Sequence, residues 1–229
     1  MITVYPRKKL DFTYGNIFKA FLYSFSSLFS KKDIEKDIED LWPDHKVIVG
    51  LSVRSIFDLL LEEKQYKKGS EVIMSGITIP DMVKIVEAHD LNVVPVDIDM
   101  QTLQVSEASI SDAITDNTVM VVIAHLFGSR MNMDPVYKAL HSRPDIMIVE
   151  DCAQTYAGIN SYIKEAKTDL SMFSFGSIKS ITALGCAIGF TSNHELYSII
   201  KKRFSKYERV ADSRFRSKVL KYLLLKILS

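Results

Sequence analysis

Disulfides, glycine fingerprints and charge of one sign are all missing from this chain of 229 residues, and each absence closes off a class of protein. Two cysteines, Cys152 and Cys186, cannot staple a fold, and both sit in apolar strand-end contexts that suit reduced, buried thiols in a cytoplasmic protein. The nine glycines are scattered, and no strand-like run is followed by G-x-G-x-x-G, which excludes the nicotinamide-binding fingerprint. Lys and Arg number 29 against 28 Asp and Glu, and a net charge of +1 gives no basis for nucleic acid or a membrane as the main partner. No grouping of His, Cys, Asp and Glu has metal-ligand spacing, so no metal is expected. What remains is ordinary globular composition, 47% hydrophobic and 25% charged, in a length that suits one sizeable core.

From His45 onward, short Val/Ile runs alternate with helical periodicity. The runs predict strands at Lys46–Val49, Glu71–Ser75, Asn92–Ile98, Thr118–His125, Ile146–Glu150, Leu170–Phe175 and Cys186–Thr191. Helices are expected at Ser55–Glu63, Asp81–His89, Ser106–Thr115, Asp134–Ser142 and His194–Tyr207, with Asp134 as an N-cap and Pro135 at the first helical position. Such alternation implies a three-layer α/β/α domain on a mostly parallel sheet, here over residues 45–208.

Two stretches of that domain carry chemistry. Lys179 lies in Phe173–Gly185, FSFGSIKSITALG, on a short connection between two apolar runs rather than on a charged surface. Ser174, five residues earlier, offers a hydroxyl to a phosphate, and Gly176 and Gly185 let backbone approach a ligand closely. Upstream, the run IMIVE ends in Asp151, Cys152, Ala153 and Gln154, and the carboxyl ends of buried strands are where open α/β sheets bind ligands. A lysine that bonds covalently to an aldehyde and an acid that keeps a pyridine nitrogen protonated are the two protein groups pyridoxal 5′-phosphate (PLP) needs.

VEDCAQ (Val149–Gln154) followed by FSFGSIKSITALG resembles the DegT/StrS family of PLP-dependent nucleotide-sugar aminotransferases. Lys67–Asp99 resembles the family's stretch from a GDEVI-like strand through a Thr-containing loop and helix to a PVFVDID-like strand, and Thr118–Val136 resembles its TKAIIPVHLYG segment. The resemblance covers about residues 47–205 in the family's order. It implies the large domain of fold type I PLP-dependent transferases, PLP as cofactor, a nucleotide-linked keto-sugar as substrate, an amino-acid donor that is by family habit glutamate, and a homodimer working in polysaccharide, glycolipid or antibiotic-sugar assembly. It further implies that Lys179 is catalytic and holds PLP, that Asp151 meets the pyridine nitrogen, and that Gln154 lies near the ring's 3-hydroxyl. Ser174, Ser52, Arg54 and Ser55 would anchor the phosphate, with Thr78 in the loop over the ring. Relatives with a histidine in place of the lysine catalyse dehydration, which Lys179 disfavours.

The chain departs from the family pattern at three places. In the first strand-to-helix turn, Gly50–Phe57 (GLSVRSIF), Val53 and Arg54 stand where the family commonly has glycine and threonine, although helix amino termini suit phosphate and arginine can hold one. Ile79 follows Thr78 where an aromatic usually stacks on the ring, and Ala183–Cys186 replaces a GEGG-like segment. Each site residue also has a plainer role open to it. Asp151 can cap the next segment, Ser174 can bond buried backbone, Lys179 alone reads as a surface lysine, and His125 reads as a satisfied core histidine. Asp97 and Asp99 read as strand-end surface acids.

The two ends are the least regular parts. Asn16–Ser30 is rich in aromatics behind Arg7, Lys8 and Lys9, but Asp11 interrupts the basic region and no small-residue cleavage pattern follows, so a helix packed on the core or on a second subunit is expected rather than a signal peptide. With a charged helix at Lys31–Trp42, it makes an amino-terminal helical segment, residues 1–44. Residues 209–229 read as a basic amphipathic helix: Lys201–Lys226 holds ten Lys/Arg against two acids, and Val219–Leu228 is too short to cross a bilayer, so membrane association is not expected. The family's small carboxyl-terminal domain has no counterpart in these residues. A truncated, inactive homologue acting as a subunit is therefore the alternative to an aminotransferase.

Overall fold

The computed structural model describes residues 10–25, 31–165, 167–179, 181–207 and 211–227. In chain order the elements are α1 (Tyr14–Tyr23), α2 (Lys31–Asp40), β1 (Lys46–Gly50), α3 (Val53–Lys64), β2 (Glu71–Ser75), α4 (Pro80–Ala88), β3 (Asn92–Val96), α5 (Glu107–Ala113), β4 (Thr118–Ala124), α6 (Asp134–Ala139), β5 (Met147–Asp151), β6 (Leu170–Ser174), β7 (Ala187–Thr191), α7 (His194–Phe204) and α8 (Asp212–Ile227). Every expected strand and helix forms, with ends shifted by a few residues. One expectation fails in detail. Asp134 is the first helical residue of α6 and not its cap; Met133 takes that place with no side-chain oxygen to bond the helix, while Asn132 Oδ1 accepts the Asp134 N–H at 3.0 Å.

The seven strands form one sheet in the order β1-β7-β6-β5-β4-β2-β3. β3, β2, β4, β5 and β6 pair in parallel, whereas β7 is antiparallel to both β6 and β1. The strand sequences are apolar on both faces, as a sheet covered on both sides requires. Alternate residues divide accordingly. Met120, Val122, Val149, Leu170 and Met172 pack with Ile56, Phe57 and Leu60 of α3, Met82 of α4 and Ile200 of α7. Val121, Ile123 and Ile148 pack with Ile110 of α5 and Val136 of α6 on the opposite face. Three layers result. Gly50, at the end of β1, is needed for this packing, since a Cβ there would lie 2.7 Å from Ile56 Cγ1.

α3 begins at a capping box, with Ser55 N–H donating to Ser52 Oγ at 3.1 Å and Ser52 N–H to Ser55 Oγ at 3.0 Å, so its amino terminus is held at the carboxyl edge of the parallel strands. α1 and α8 pack antiparallel through a separate small core of Phe12, Ile17, Val219 and Leu184, the last from the loop after Lys179. Arg216 donates to the Ser24 carbonyl at 3.0 Å at one end of this pair, and Tyr14 to the Lys226 carbonyl at 3.4 Å at the other. Tyr14, Phe18 and Leu22 on α1, and Leu220, Leu224 and Ile227 on α8, remain exposed. The basic residues Arg7, Lys8 and Lys9, and Leu228, lie outside the described residues. Among the described residues no helix is long and apolar enough to cross a membrane.

Candidate active site

The carboxyl edges of β4, β5 and β6 and the amino terminus of α3 enclose a cleft of about 480 Å³. Asp151, Gln154, Ser174, Lys179, Ser52, Arg54 and Thr78 all line it, which brings together seven of the eight positions expected from sequence. The eighth, Ser55, lies in an adjoining groove shared with Arg54 and Asp81. The placement follows from strand alternation. Asp151 continues the face of Met147 and Val149 on β5, and Ser174 that of Leu170 and Met172 on β6, so both project towards the α3 side.

Asp151 is buried at 8% exposure, and Ala153 N–H donates to its Oδ1 at 3.0 Å. Burial pushes its carboxyl above the usual range, with that N–H and the positive charge of Lys179 pulling in the opposite direction. Lys179 is half-buried, and among the described residues its amine makes no hydrogen bond or ion pair. Burial lowers its pKa, against the pull of Asp151. A partly desolvated amine without a fixed partner beside a buried acid is an available nucleophile. Gln154 Oε1 accepts the Phe127 N–H at 3.0 Å, which leaves the Gln154 amide NH₂ as the group free to donate.

The phosphate side is less open. Ser55 Oγ accepts in the capping box and donates to the Ser52 carbonyl at 2.8 Å, so it already serves α3. Arg54 is tied to Asp81 at 2.6 Å, although both groups are half exposed and the pair is weak. Ser52, Val53 and Arg54 at the start of α3 line the cleft, Ser52 Oγ already accepting the Ser55 N–H at 3.1 Å, and Ser174 Oγ accepts the Gly176 N–H at 3.4 Å. Thr78 and Ile79 form the wall opposite, with Ile79 47% exposed.

The sequence missed Phe127 and the partner of His125, whose reading as a satisfied core histidine is borne out. Phe127, 74% exposed in the cleft wall, holds a left-handed backbone at φ 55°, an unusual state for a bulky residue. His125 is fully buried against Glu150: its Nδ1 accepts the Met131 N–H at 3.0 Å, which leaves Nε2 to donate to Glu150 Oε2 at 2.7 Å. Glu150 also accepts from Tyr162 at 2.6 Å and from Thr168. Burial pushes the Glu150 carboxyl up, but these donors outweigh it and hold the group below its ordinary 4.5. With Cys152 they form a cluster whose ligand atoms lie within 4.8 Å, a grouping linear spacing could not reveal. Both imidazole nitrogens and the carboxylate are spent on protein partners, so the cluster is a structural network and not an open metal site. The sole signal available was the apolar context of His125 and the acid on the neighbouring strand.

The model of the DegT/DnrJ/EryC1/StrS aminotransferase family matches residues 30–223. The chain belongs to this family. Among curated relatives it is 31% identical over 183 residues to a GDP-4-keto-6-deoxy-D-mannose 3-dehydratase of Yersinia pseudotuberculosis, covering 75% of this chain and 45% of the relative. It is 30% identical over 132 residues to the GDP-perosamine synthase of Escherichia coli O157:H7, covering 57% of this chain and 36% of the relative. The chain thus spans less than half the length of these relatives. Among solved structures, an E. coli GDP-4-keto-6-deoxy-D-mannose-3-dehydratase with bound hydrated PLP superposes at a TM-score of 0.74 with 22% identity, covering 88% of this chain and 54% of the other. A sugar aminotransferase of Streptococcus pneumoniae in its PLP form gives 0.72 with 19% identity, over 86% of this chain and 57% of that one. These likenesses establish the fold.

Proposed function

We propose that this chain is a PLP-dependent aminotransferase that moves an amino group, with glutamate as donor, to the keto group of a nucleotide-linked sugar. The observation that carries this reading is the pair of Lys179 and Asp151, a half-buried amine unpartnered among the described residues and a buried acid, facing one cleft at the carboxyl edge of a parallel sheet. The donor set fits PLP. Lys179 Nζ would hold it covalently, Asp151 would face its pyridine nitrogen, and the Gln154 amide would donate to its 3-hydroxyl oxygen. Ser174, Ser52, Thr78 and the α3 amino terminus would take the phosphate, with Arg54 in reach once it leaves Asp81. PLP supplies an electron sink that makes the carbon bearing the amine acidic. Once the donor's amine displaces it, Lys179 Nζ would take and return that carbon's proton as a free amine, and its burial favours the neutral form. Asp151 keeps the ring nitrogen protonated because burial excludes the water that would screen the pair.

Among the curated relatives are dehydratases, and the resemblance, by which dehydrating members carry a histidine where this chain has Lys179, favours amino transfer. A cytoplasmic homodimer acting in polysaccharide assembly is consistent with the family. A second reading, a homologue without catalysis serving as a subunit, draws support from the occupied phosphate turn at Ser55 and Arg54. Absorption of the purified chain with added PLP, then borohydride reduction and peptide mass spectrometry, separates the two. Trapping on Lys179, lost in Lys179→Ala together with any half-reaction with glutamate, supports the enzyme. A folded chain that traps nothing supports the second reading.

A further inference from the structure

We propose that Tyr222 of α8 is a positioning residue for Lys179, acting through Ser177, an inference that rests on the reading of Lys179 as the PLP lysine. The loop from Gly176 to Gly185 is pinned at its neck, where the Phe175 carbonyl accepts from Ala183 N–H at 3.0 Å and from Gly185 N–H at 3.1 Å. Its tip is held differently. Lys179 N–H closes a turn onto the Gly176 carbonyl at 3.0 Å, while Ile178 and Ile181 stand 55% and 45% exposed and anchor nothing. Among the described residues from 176 to 181, only the Ser177 side chain makes a hydrogen bond, accepting from the Tyr222 hydroxyl. The Tyr222 ring is itself set edge-on against Phe12 at 6.2 Å, and Phe12 is buried in the small core that also takes Leu184 from the loop. Leu184 carries a left-handed backbone, φ 59°, which persists only where surrounding packing holds it.

A contiguous path therefore runs from Phe12 through Tyr222 and Ser177 to the turn bearing Lys179. Ser177 and Lys179 both line the cleft. Fixing the turn keeps the lysine stem packed and its amine half-buried, the condition that lowers its pKa. Releasing the turn lets the amine swing to water, raises its pKa towards that of an ordinary lysine, and adds an ordering cost to cofactor binding.

The test uses the intact chain and the variants Tyr222→Phe and Ser177→Ala, each of which removes one hydroxyl and leaves the packing. Without cofactor, the pH profile of Lys179 acetylation by acetic anhydride is read by peptide mass spectrometry, with other lysines of the same digest as internal references. PLP affinity is read by spectral titration. Each variant should move the Lys179 midpoint upwards with the reference lysines unchanged, and weaken PLP binding roughly 3- to 10-fold, the scale of one net hydrogen bond. The double variant should be no worse than either single one. Unchanged Lys179 midpoints in both folded variants, or additive losses in the double variant, overturn the proposal, even if melting temperatures fall. If the wild-type chain binds no PLP while the midpoints still shift, Tyr222 positions the amine and only the cofactor reading fails.

Discussion

Replacing Asp151 with asparagine should move the stability of the cofactor-free chain and its affinity for PLP in opposite directions. The side chain is 8% exposed, and among the described residues its one protein donor is the Ala153 N–H at 3.0 Å. Asparagine keeps the shape and an oxygen for that N–H while removing a charge that burial opposes. A gain of about 0.5–1.5 kcal/mol at about pH 7 is expected, the lower range for relieving an imperfectly compensated buried polar group. The sign of the pH dependence follows from the raised carboxyl pKa. An acid whose folded pKa lies above its unfolded value contributes stability that is fully present below the unfolded value, about 3.9. That contribution is lost as pH rises through the folded value. The asparagine variant should therefore outlast the wild type at neutral pH, and its advantage should vanish in acid. With PLP the order reverses, because removing one member of a buried, hydrogen-bonded charge pair costs about 2–5 kcal/mol, or roughly 30- to 4,000-fold in Kd. Urea unfolding followed by circular dichroism, with and without PLP, reads both effects. A variant that is less stable without cofactor, yet binds PLP as the wild type does, would show that Asp151 only caps the turn at Ala153.

Three other perturbations probe the surroundings. Glu150→Gln should cost about 2–4 kcal/mol in urea unfolding, since one amide cannot accept from His125, Tyr162 and Thr168 together and a buried donor is left unmade. The Glu150 pKa is depressed, so its contribution is present above the unfolded value of about 4.3 and is lost as pH falls through the lower folded value, and the gap to the variant should close in acid. Gly50→Ala should destabilise by about 1–3 kcal/mol, measured by chemical denaturation, because Ile56 Cγ1 at 2.7 Å and Phe204 Cζ at 3.1 Å must both shift. Arg54→Ala should change stability by less than about 0.5 kcal/mol, as its pair with Asp81 is half exposed, while weakening PLP about 3- to 10-fold in a spectral titration; unchanged PLP affinity would remove Arg54 from the phosphate site.

How much of this was legible in the sequence depended on whether a function is carried by neighbours in the chain or by partners brought from afar. The strands were readable because Val, Ile and Met run uninterrupted where both sheet faces are covered, and the helices because α3, α4 and α7 keep their apolar residues on one side. Asp151, Gln154, Ser174 and Lys179 were readable because they sit within a few residues of strand ends, and a strand end has one possible location once the sheet order exists. The antiparallel direction of β7 was not, since a single run of Ala187–Thr191 carries no mark of its direction. Nor was the state of the phosphate turn. Ser52, Arg54 and Ser55 have the right chemistry for a phosphate, but Ser55 is claimed by the capping box of its own helix and Arg54 by Asp81, 27 residues away. His125 with Glu150 and Tyr222 with Ser177 are pairings 25 and 45 residues apart, and the basic, leucine-rich pattern of residues 212–227 hid the one hydroxyl that reaches the lysine loop. The terminal helices therefore read in sequence as additions to a finished domain, whereas the Tyr222–Ser177 bond and the packing of Leu184 tie them to the loop that bears Lys179.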